Sequence, residues 1–479
     1  MSNSKSFVLT VTVLYALALA VITYLHEPWR DELHAWAIVL ASNSFEQLIE
    51  NTRHEGHPML WFTLLYAVSK ITVSYIGMQV LNWVISVATA NVLLRYAPFT
   101  RLQRFLLVFG YFFFYEYGVI SRNYQIGILL FFLFLVVYFG RSPNKIYYLA
   151  GLAFLLAQSN LFAVALTCSI SLLALKLWVE KGISLRQFVV YCTVAFIGIA
   201  LSVSQMHRAQ GEGLRTNGFQ FDVFRSCLMT FLKAVFPVPV LSDFSNWNSV
   251  LKLGLTQYIL LALLIIFVLV RFSDSKWALA ILGSYFLLSF AVYYFIYYGF
   301  ARHHGYFYIL LIGCVWVSEL FKPEKNQLSV YPFTTILIIQ VLVGVYFSVK
   351  DCLYPFSQLK ACSEYIKKTF TKDDIFYVGY NDYATEGIYL LSGKKIYFPS
   401  SNSYTSYVIW GVPRRYDFYE DDACYNMCLA EAKRNGKSRI LFIMNEEPAK
   451  NMEARLGKHI KTFEPNIVGD ENFYLYLKE

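Results

Sequence analysis

The chain has 479 residues, 57% hydrophobic and only 15% charged, with a mean hydropathy of +0.45. Soluble domains run at roughly 45–50% apolar and about 25% charged, so this balance excludes a soluble globular protein, a disordered chain and a disulfide-stapled miniprotein. The formal charge of +9 is unevenly placed: residues 1–350 hold 24 basic and 14 acidic side chains, whereas residues 351–479 hold 17 and 18. The surplus belongs to the apolar part, where it reads as membrane topology and not as a nucleic-acid surface.

Apolar runs of about 20 residues are needed to cross a bilayer as helices. They occur near 7–25, 78–94, 105–121, 124–140, 146–158, 160–178, 188–206, 253–271, 277–298, 305–321 and 329–349. The first has Lys5 before it and Ala18-Leu19-Ala20 inside it. It continues to Leu25 without a polar break, so it reads as an uncleaved anchor and not as a signal peptide. A further apolar stretch from His57-Pro58-Met59 to Gly77 carries Lys70 and several Ser and Thr, and reads as a juxtamembrane helix. With that stretch outside the count and the N-terminus cytoplasmic, the inside loops collect Lys5, Arg95, Arg101, Arg104, Arg141, Lys145, Lys176, Lys181, Arg186, Arg271, Lys276, Lys322 and Lys325. The positive-inside rule asks for that asymmetry. The expectation is a polytopic α-helical membrane protein of about eleven spans (residues 1–350), with the first external loop at 26–77, a second long external loop at 207–250, and residues 351–479 outside the membrane.

Those last 129 residues alternate short periodic segments: a helix at 357–370, strands at 374–380 and 395–398, a helix at 420–435, a strand at 438–444, a helix at 447–457, and strands at 459–464 and 472–477. The alternation predicts a small α/β domain. Cys352, Cys362, Cys424 and Cys428 lie on its presumed oxidising side, where one or two disulfides in any of three full pairings are open options.

Polar residues gather at the outer mouths of the spans. The first external loop reads His26-Glu27-Pro28-Trp29-Arg30-Asp31-Glu32-Leu33-His34. Pro28 suits a helix start, and Asp31 and Glu32 then occupy the first turn. Adjacent helical residues diverge by about 100°, so one carboxylate can face a cavity while the other caps or pairs. Glu55-Gly56-His57-Pro58 follows, with Arg53 and His54 beside it. Arg122-Asn123-Tyr124 opens a later span, and Arg302-His303-His304-Gly305 another. An arginine at a membrane mouth is commonly a snorkelling side chain, and the tyrosines at 293, 294, 297 and 298 suit an aromatic belt. Charges clustered with several polar neighbours at such a mouth are nonetheless candidates for function. Arginine pairs with phosphate oxygens in bidentate fashion, and a carboxylate can take the proton of an attacking hydroxyl. Together they suit a lipid-linked phosphate at the outer leaflet.

Arg30-Asp31-Glu32, then Glu55-Gly56-His57-Pro58 opening a juxtamembrane helix, then Arg122-Asn123-Tyr124, resembles the GT-C-fold glycosyltransferases. The layout is most similar to the protein O-mannosyltransferase and lipid A aminoarabinose transferase group. Their His-Pro-Pro-Leu segment stands here as His57-Pro58-Met59-Leu60, and no acid directly follows Arg122. The motifs cover the first 140 residues; beyond them the likeness is one of architecture. The resemblance implies transfer of a sugar, with inversion, from a polyprenyl-phosphate donor to an envelope glycan, lipid or protein on the outer face of the bacterial cytoplasmic (inner) membrane, with the C-terminal domain periplasmic. It implies Asp31 as base with Glu32 as its supporting partner, Arg122, Arg302, His57 and His303 around the donor phosphate, and Arg30, Glu55 and Tyr124 near the substrate. Some members use a divalent cation and others do not, so metal use stays open. The 207–250 segment, with Gly211-Glu212-Gly213 and Pro237-Val238-Pro239, reads equally as a flap over the site or as a plain connector. A transporter or flippase of a lipid-linked intermediate is the rival reading. It calls for inverted repeats and helices broken at the midplane in matching halves, and the sequence displays neither.

Overall fold

The computed structural model describes residues 5–206, 219–250, 254–321, 327–380, 382–410, 422–448 and 450–479. Most of the chain is helical, and it ends in a five-stranded sheet. Among the described residues, seven helical stretches are long and apolar enough to cross a membrane: Lys5–Leu25, Ile76–Tyr96, Leu161–Val179, Leu185–Gln205, Lys276–Ile296, Ala301–Phe321 and Val330–Leu353. Shorter apolar helices cover Met59–Ser69, Tyr124–Phe139, Lys145–Ala157 and Thr256–Phe272. On the outer helices large apolar side chains face outward, with Leu9, Leu17 and Val21 all more than half exposed, a surface that suits hydrocarbon and not water. The Ala301–Phe321 helix is the opposite case. It is buried on every side from Ala301 to Ser318 and forms the axis of the bundle.

Two expected features differ. The 105–121 run is not one continuous helix: it divides into Arg101–Val108, a π-turn at Phe112–Glu116, and irregular chain to Asn123. Five consecutive aromatic and acidic residues from Phe112 to Glu116 are all buried, and the wider turn lets them point to several sides at once. Asn82 makes the irregular backbone tenable. Its side-chain amide donates to the carbonyls of Tyr117 and Gly118 at 3.0 and 2.9 Å, supplying what a bilayer interior cannot. The 207–250 segment is not wholly a loop, because Phe221–Val235 is a helix whose one face packs on the Ala301–Phe321 helix. Gly211-Glu212-Gly213 lies outside the described residues.

The segment after the first long helix folds as three helices, Arg30–Ala41, Phe45–Asn51 and Met59–Ser69. They share an apolar cluster of Trp36, Leu48, Trp61, Phe62 and Leu65. The last is only 11 residues long, about 16 Å, roughly half of a hydrocarbon core.

In the C-terminal domain, β1 (Ile375–Tyr380), β2 (Ile396–Tyr397), β3 (Arg439–Met444), β4 (Lys458–Phe463) and β5 (Phe473–Lys478) run in the order β2-β1-β3-β5-β4. The β1–β2 and β1–β3 pairs are parallel; β5 is antiparallel to both its neighbours. Alternation sends Leu441, Ile443, Phe473 and Leu475 to one face and Ile440, Phe442 and Met444 to the other. The Leu359–Thr369 helix covers the first face, together with Asp382–Ser392, which the sequence reading left out. Asp422–Arg434 and Lys450–Leu456 cover the second. The sheet therefore separates Cys362 from Cys424 and Cys428. Cys362 and Cys428 are buried thiols outside any disulfide, as is the exposed Cys352, so a cross-link of Cys362 to Cys424 or Cys428 has no geometric basis.

Candidate functional site

Asp31 stands in the first turn of the Arg30–Ala41 helix. Its Oδ2 accepts from Arg122 Nη1 at 2.5 Å and from Arg302 Nη2 at 3.3 Å, so three distant parts of the chain meet at one oxygen. The two guanidinium groups are nearly buried, while Asp31 keeps 28% of its side chain accessible. Arg302 lies over the rings of Trp29 and Trp247 at 4.9 and 5.4 Å, and those two rings meet edge to face at 4.8 Å. Arg122 also donates from Nη2 to His57 Nε2 at 3.4 Å. Because arginine can only donate, His57 accepts at Nε2 and carries its proton on Nδ1. Burial of Asp31 opposes ionisation, but Arg122, then Arg302 and Arg30, outweigh it and hold the carboxyl at about 2. Burial, with Arg122 beside it, keeps His57 neutral, down at about 3.

Glu32, the other half of the acidic pair, is fully buried and turns away. One oxygen accepts from the Ser121 backbone N–H at 2.7 Å; the other takes the Trp29 N–H at 3.2 Å and faces His26 Nε2 at 3.1 Å. It closes the helix start and clamps the irregular strand that presents Arg122, so it positions the site and does not line the Asp31 pocket. His26 continues inward: its Nδ1 lies 2.7 Å from Asp351, which also accepts from Tyr115 Oη at 3.0 Å. Burial alone would lower the His26 pKa, but Asp351 and Glu32 on its two sides raise it to about 10. Trp247 is fixed from below, its Nε1 donating to Glu116 at 2.9 Å, and Tyr111 Oη donates to the same carboxylate at 2.6 Å.

The remaining expected residues divide. Arg30 turns to the C-terminal domain: its backbone N–H donates to Glu471 at 2.9 Å and its Nη2 to Asp470 at 2.6 Å. Ser357 holds the other oxygen of Glu471, whose carboxyl burial raises to about 7. Glu55 pairs with His34 at 2.9 Å, with Glu386 of the C-terminal domain 3.9 Å from the other ring nitrogen. His303 spends Nδ1 on the Phe300 backbone N–H at 2.8 Å, while its ring lies edge to face with Tyr124 at 5.9 Å. Tyr124 is a buried wall. The structure thus brings Asp31, Arg122, Arg302 and His57 together. It turns Glu32 and Glu55 to holding elements in place, while Arg30, its Nε 3.8 Å from Asp31 Oδ1, is bound chiefly by the C-terminal domain.

Sequence reading missed His26, Trp29, Trp247 and Asp351. His26 and Trp29 stood inside the quoted motif, where their spacing to Glu32 and Arg30 was a usable signal. Trp247 and Asp351 are far along the chain, and nothing near them announces the contact. Gly305 is a further participant. A Cβ there would stand 2.2 Å from Phe112 Cε1 and 2.4 Å from Tyr117 Oη, so only glycine lets the first turn of the Arg302 helix approach the π-turn this closely. Tyr117 Oη then donates to the Arg302 carbonyl at 2.5 Å. Among the described residues no group of three or more His, Cys, Asp and Glu side chains is arranged to hold a metal ion. The arrangement can grip an anion and place a carboxylate beside it. No protein-family model matches the sequence, and no curated protein is significantly similar to it.

Proposed function

We propose that the chain is an integral-membrane glycosyltransferase that moves a sugar from a polyprenyl-phosphate donor to an envelope acceptor at the outer face of the cytoplasmic membrane. In this reading eleven apolar segments span the bilayer, Met59–Ser69 lies along its surface, and the C-terminal domain is external. The observation that carries it is the pair of nearly buried arginines, Arg122 and Arg302, converging on Asp31 beside the neutral His57. Guanidinium groups walled by aromatic rings are suited to a phosphate whose charge grows as the leaving group departs. Asp31 accepts the acceptor hydroxyl's proton, and that oxygen attacks the anomeric carbon from the face opposite the phosphate. The bond from the sugar to the phosphate oxygen breaks with its electron pair staying on phosphate, so the configuration inverts.

The test compares cells carrying the wild-type protein or Asp31→Asn by mass analysis of envelope glycolipids, glycans and proteins. A sugar-sized mass that requires wild type identifies both the transfer and the acceptor. Identical profiles, with both proteins present in the membrane and donor available, would remove the glycosyltransferase reading.

A further inference from the structure

The pocket carries more cationic capacity than Asp31 uses. The groups that face Asp31 are Arg30 on its own helix, His57 from the turn before Met59, Arg122 from the irregular segment, Arg302 from the Ala301–Phe321 helix, and the phenols of Tyr124 and Tyr297. Arg30 is answered by Asp470 and Glu471, and His57 is neutral. Among direct contacts two guanidinium charges therefore meet one carboxylate, a surplus of one, with Glu32 and Glu116 acting on them only from farther off. Spare donors accompany the spare charge: Arg302 Nε and His57 Nδ1 are both buried without a hydrogen-bond partner among the described residues. Buried donors of this kind are costly unless a ligand meets them.

Resting on the donor reading above, we infer that Arg122 and Arg302 are shared between Asp31 and the donor phosphate, and that transfer hands both wholly to the phosphate as Asp31 becomes protonated. The charges balance through the step. A sugar phosphodiester carries one negative charge and ionised Asp31 another, against two arginines. When the acceptor's O–H bond breaks, its proton goes to Asp31; when the sugar leaves, the electron pair of the broken bond makes the phosphate a dianionic monoester. The pocket then holds a neutral acid and a dianion against the same two cations. The same arginines that make Asp31 a feeble base while they hold it release it as phosphate draws them off, so its basicity rises only when the donor reacts. Ionised Asp31 and the dianionic product accordingly exclude one another.

Farnesyl phosphate binding to the purified full-length protein in detergent tests this at pH 8, where a phosphate monoester is dianionic. Asp31→Asn, which imitates the protonated acid, is expected to bind farnesyl phosphate about tenfold more tightly or better, because a like charge next to the ligand has gone. Calorimetry in two buffers of different ionisation enthalpy should show wild type taking up about one proton on binding, and Asp31→Asn none. Equal affinity in the two proteins, with no proton uptake by wild type, overturns the coupling while leaving the phosphate site in place. The wild-type proton count alone decides the matter if the variant does not fold. Farnesyl phosphate failing to bind wild type at all would remove the donor reading, and the coupling with it.

Discussion

At Asp31 a single oxygen is the meeting point of residues 31, 122 and 302, so the three side chains differ in what their loss does. Arg122→Ala or Arg302→Ala should weaken donor use by about 2–5 kcal/mol, the range for truncating one partner of a buried charge pair. Titrating donor concentration in a transfer assay would find the loss, and unchanged donor dependence would place the phosphate elsewhere. His26 has a different signature. Its pKa is raised from the ordinary 6.5 to about 10 by Asp351 and Glu32, so its stabilisation is fully present below pH 6.5 and is lost as pH rises through about 10. His26→Gln leaves two buried carboxylates without their cation and should cost roughly 3–5 kcal/mol at neutral pH. Thermal unfolding of the variant between pH 6 and 10 should also lose part of the pH slope expected of wild type, His34 contributing in the same direction because Glu55 and Glu386 raise it likewise. That Asp31 and Arg122 belong to one site was expected from residue type and order; that they pair with each other was not. The burial of Glu32 was not: two adjacent acids look alike in a sequence, and only the neighbouring Ser121 N–H and His26 decide which one is a clamp.

Among elements, the broken 105–121 segment matters most for the site. A continuous helix there would aim Arg122 by its own periodicity, whereas the π-turn and the irregular chain after it let Glu32 and Asn82 set where Arg122 stands. Hydropathy alone could not reveal the break, because Phe112, Phe113, Phe114 and Tyr115 are as apolar as a spanning helix requires; the reason is local packing against Gly305 and Tyr117. Gly305→Ala should therefore push Phe112 or Tyr117 aside, displace Arg302 and lower transfer more than membrane insertion. Comparing activity per folded protein checks this, and wild-type activity in the variant would show that the close approach is dispensable. The external strands and helices were legible because period-two alternation survives in β1, β3 and β5. The Asp382–Ser392 helix escaped notice although the sequence marks it, with Asn381-Asp382 at its start and Gly393 directly after its last residue.

Over the whole molecule, the C-terminal domain and the bundle are joined through the very helix that carries Asp31. Leu33 belongs to the core on one face of the sheet, Arg30 is bound by Asp470 and Glu471, and His34 lies by Glu386. In the other direction Phe356 and Ile467 pack into the large core of the bundle. A chain ending near residue 354 should leave the Arg30–Ala41 helix with its Leu33 face uncovered, so its amides should exchange hydrogen far faster than in the full protein. Unchanged protection there would show that the bundle alone orders it. The sequence break near residue 350 is real in composition, yet contacts do not respect it, because composition registers solvent and not which element a loop is packed against.

Leu33 inside a core built by residues more than 300 positions later has a consequence for inheritance and engineering. The unit that can be exchanged between such chains is not the contiguous stretch after the last long helix. A graft of the sheet domain from another chain would bring a socket shaped for that chain's own first external helix, and would set the carboxylate at a new angle to Arg122 and Arg302. Transplants that carry the 26–57 segment along with the domain should keep the pocket aligned; those that move the domain alone should produce well-folded sheets and idle sites.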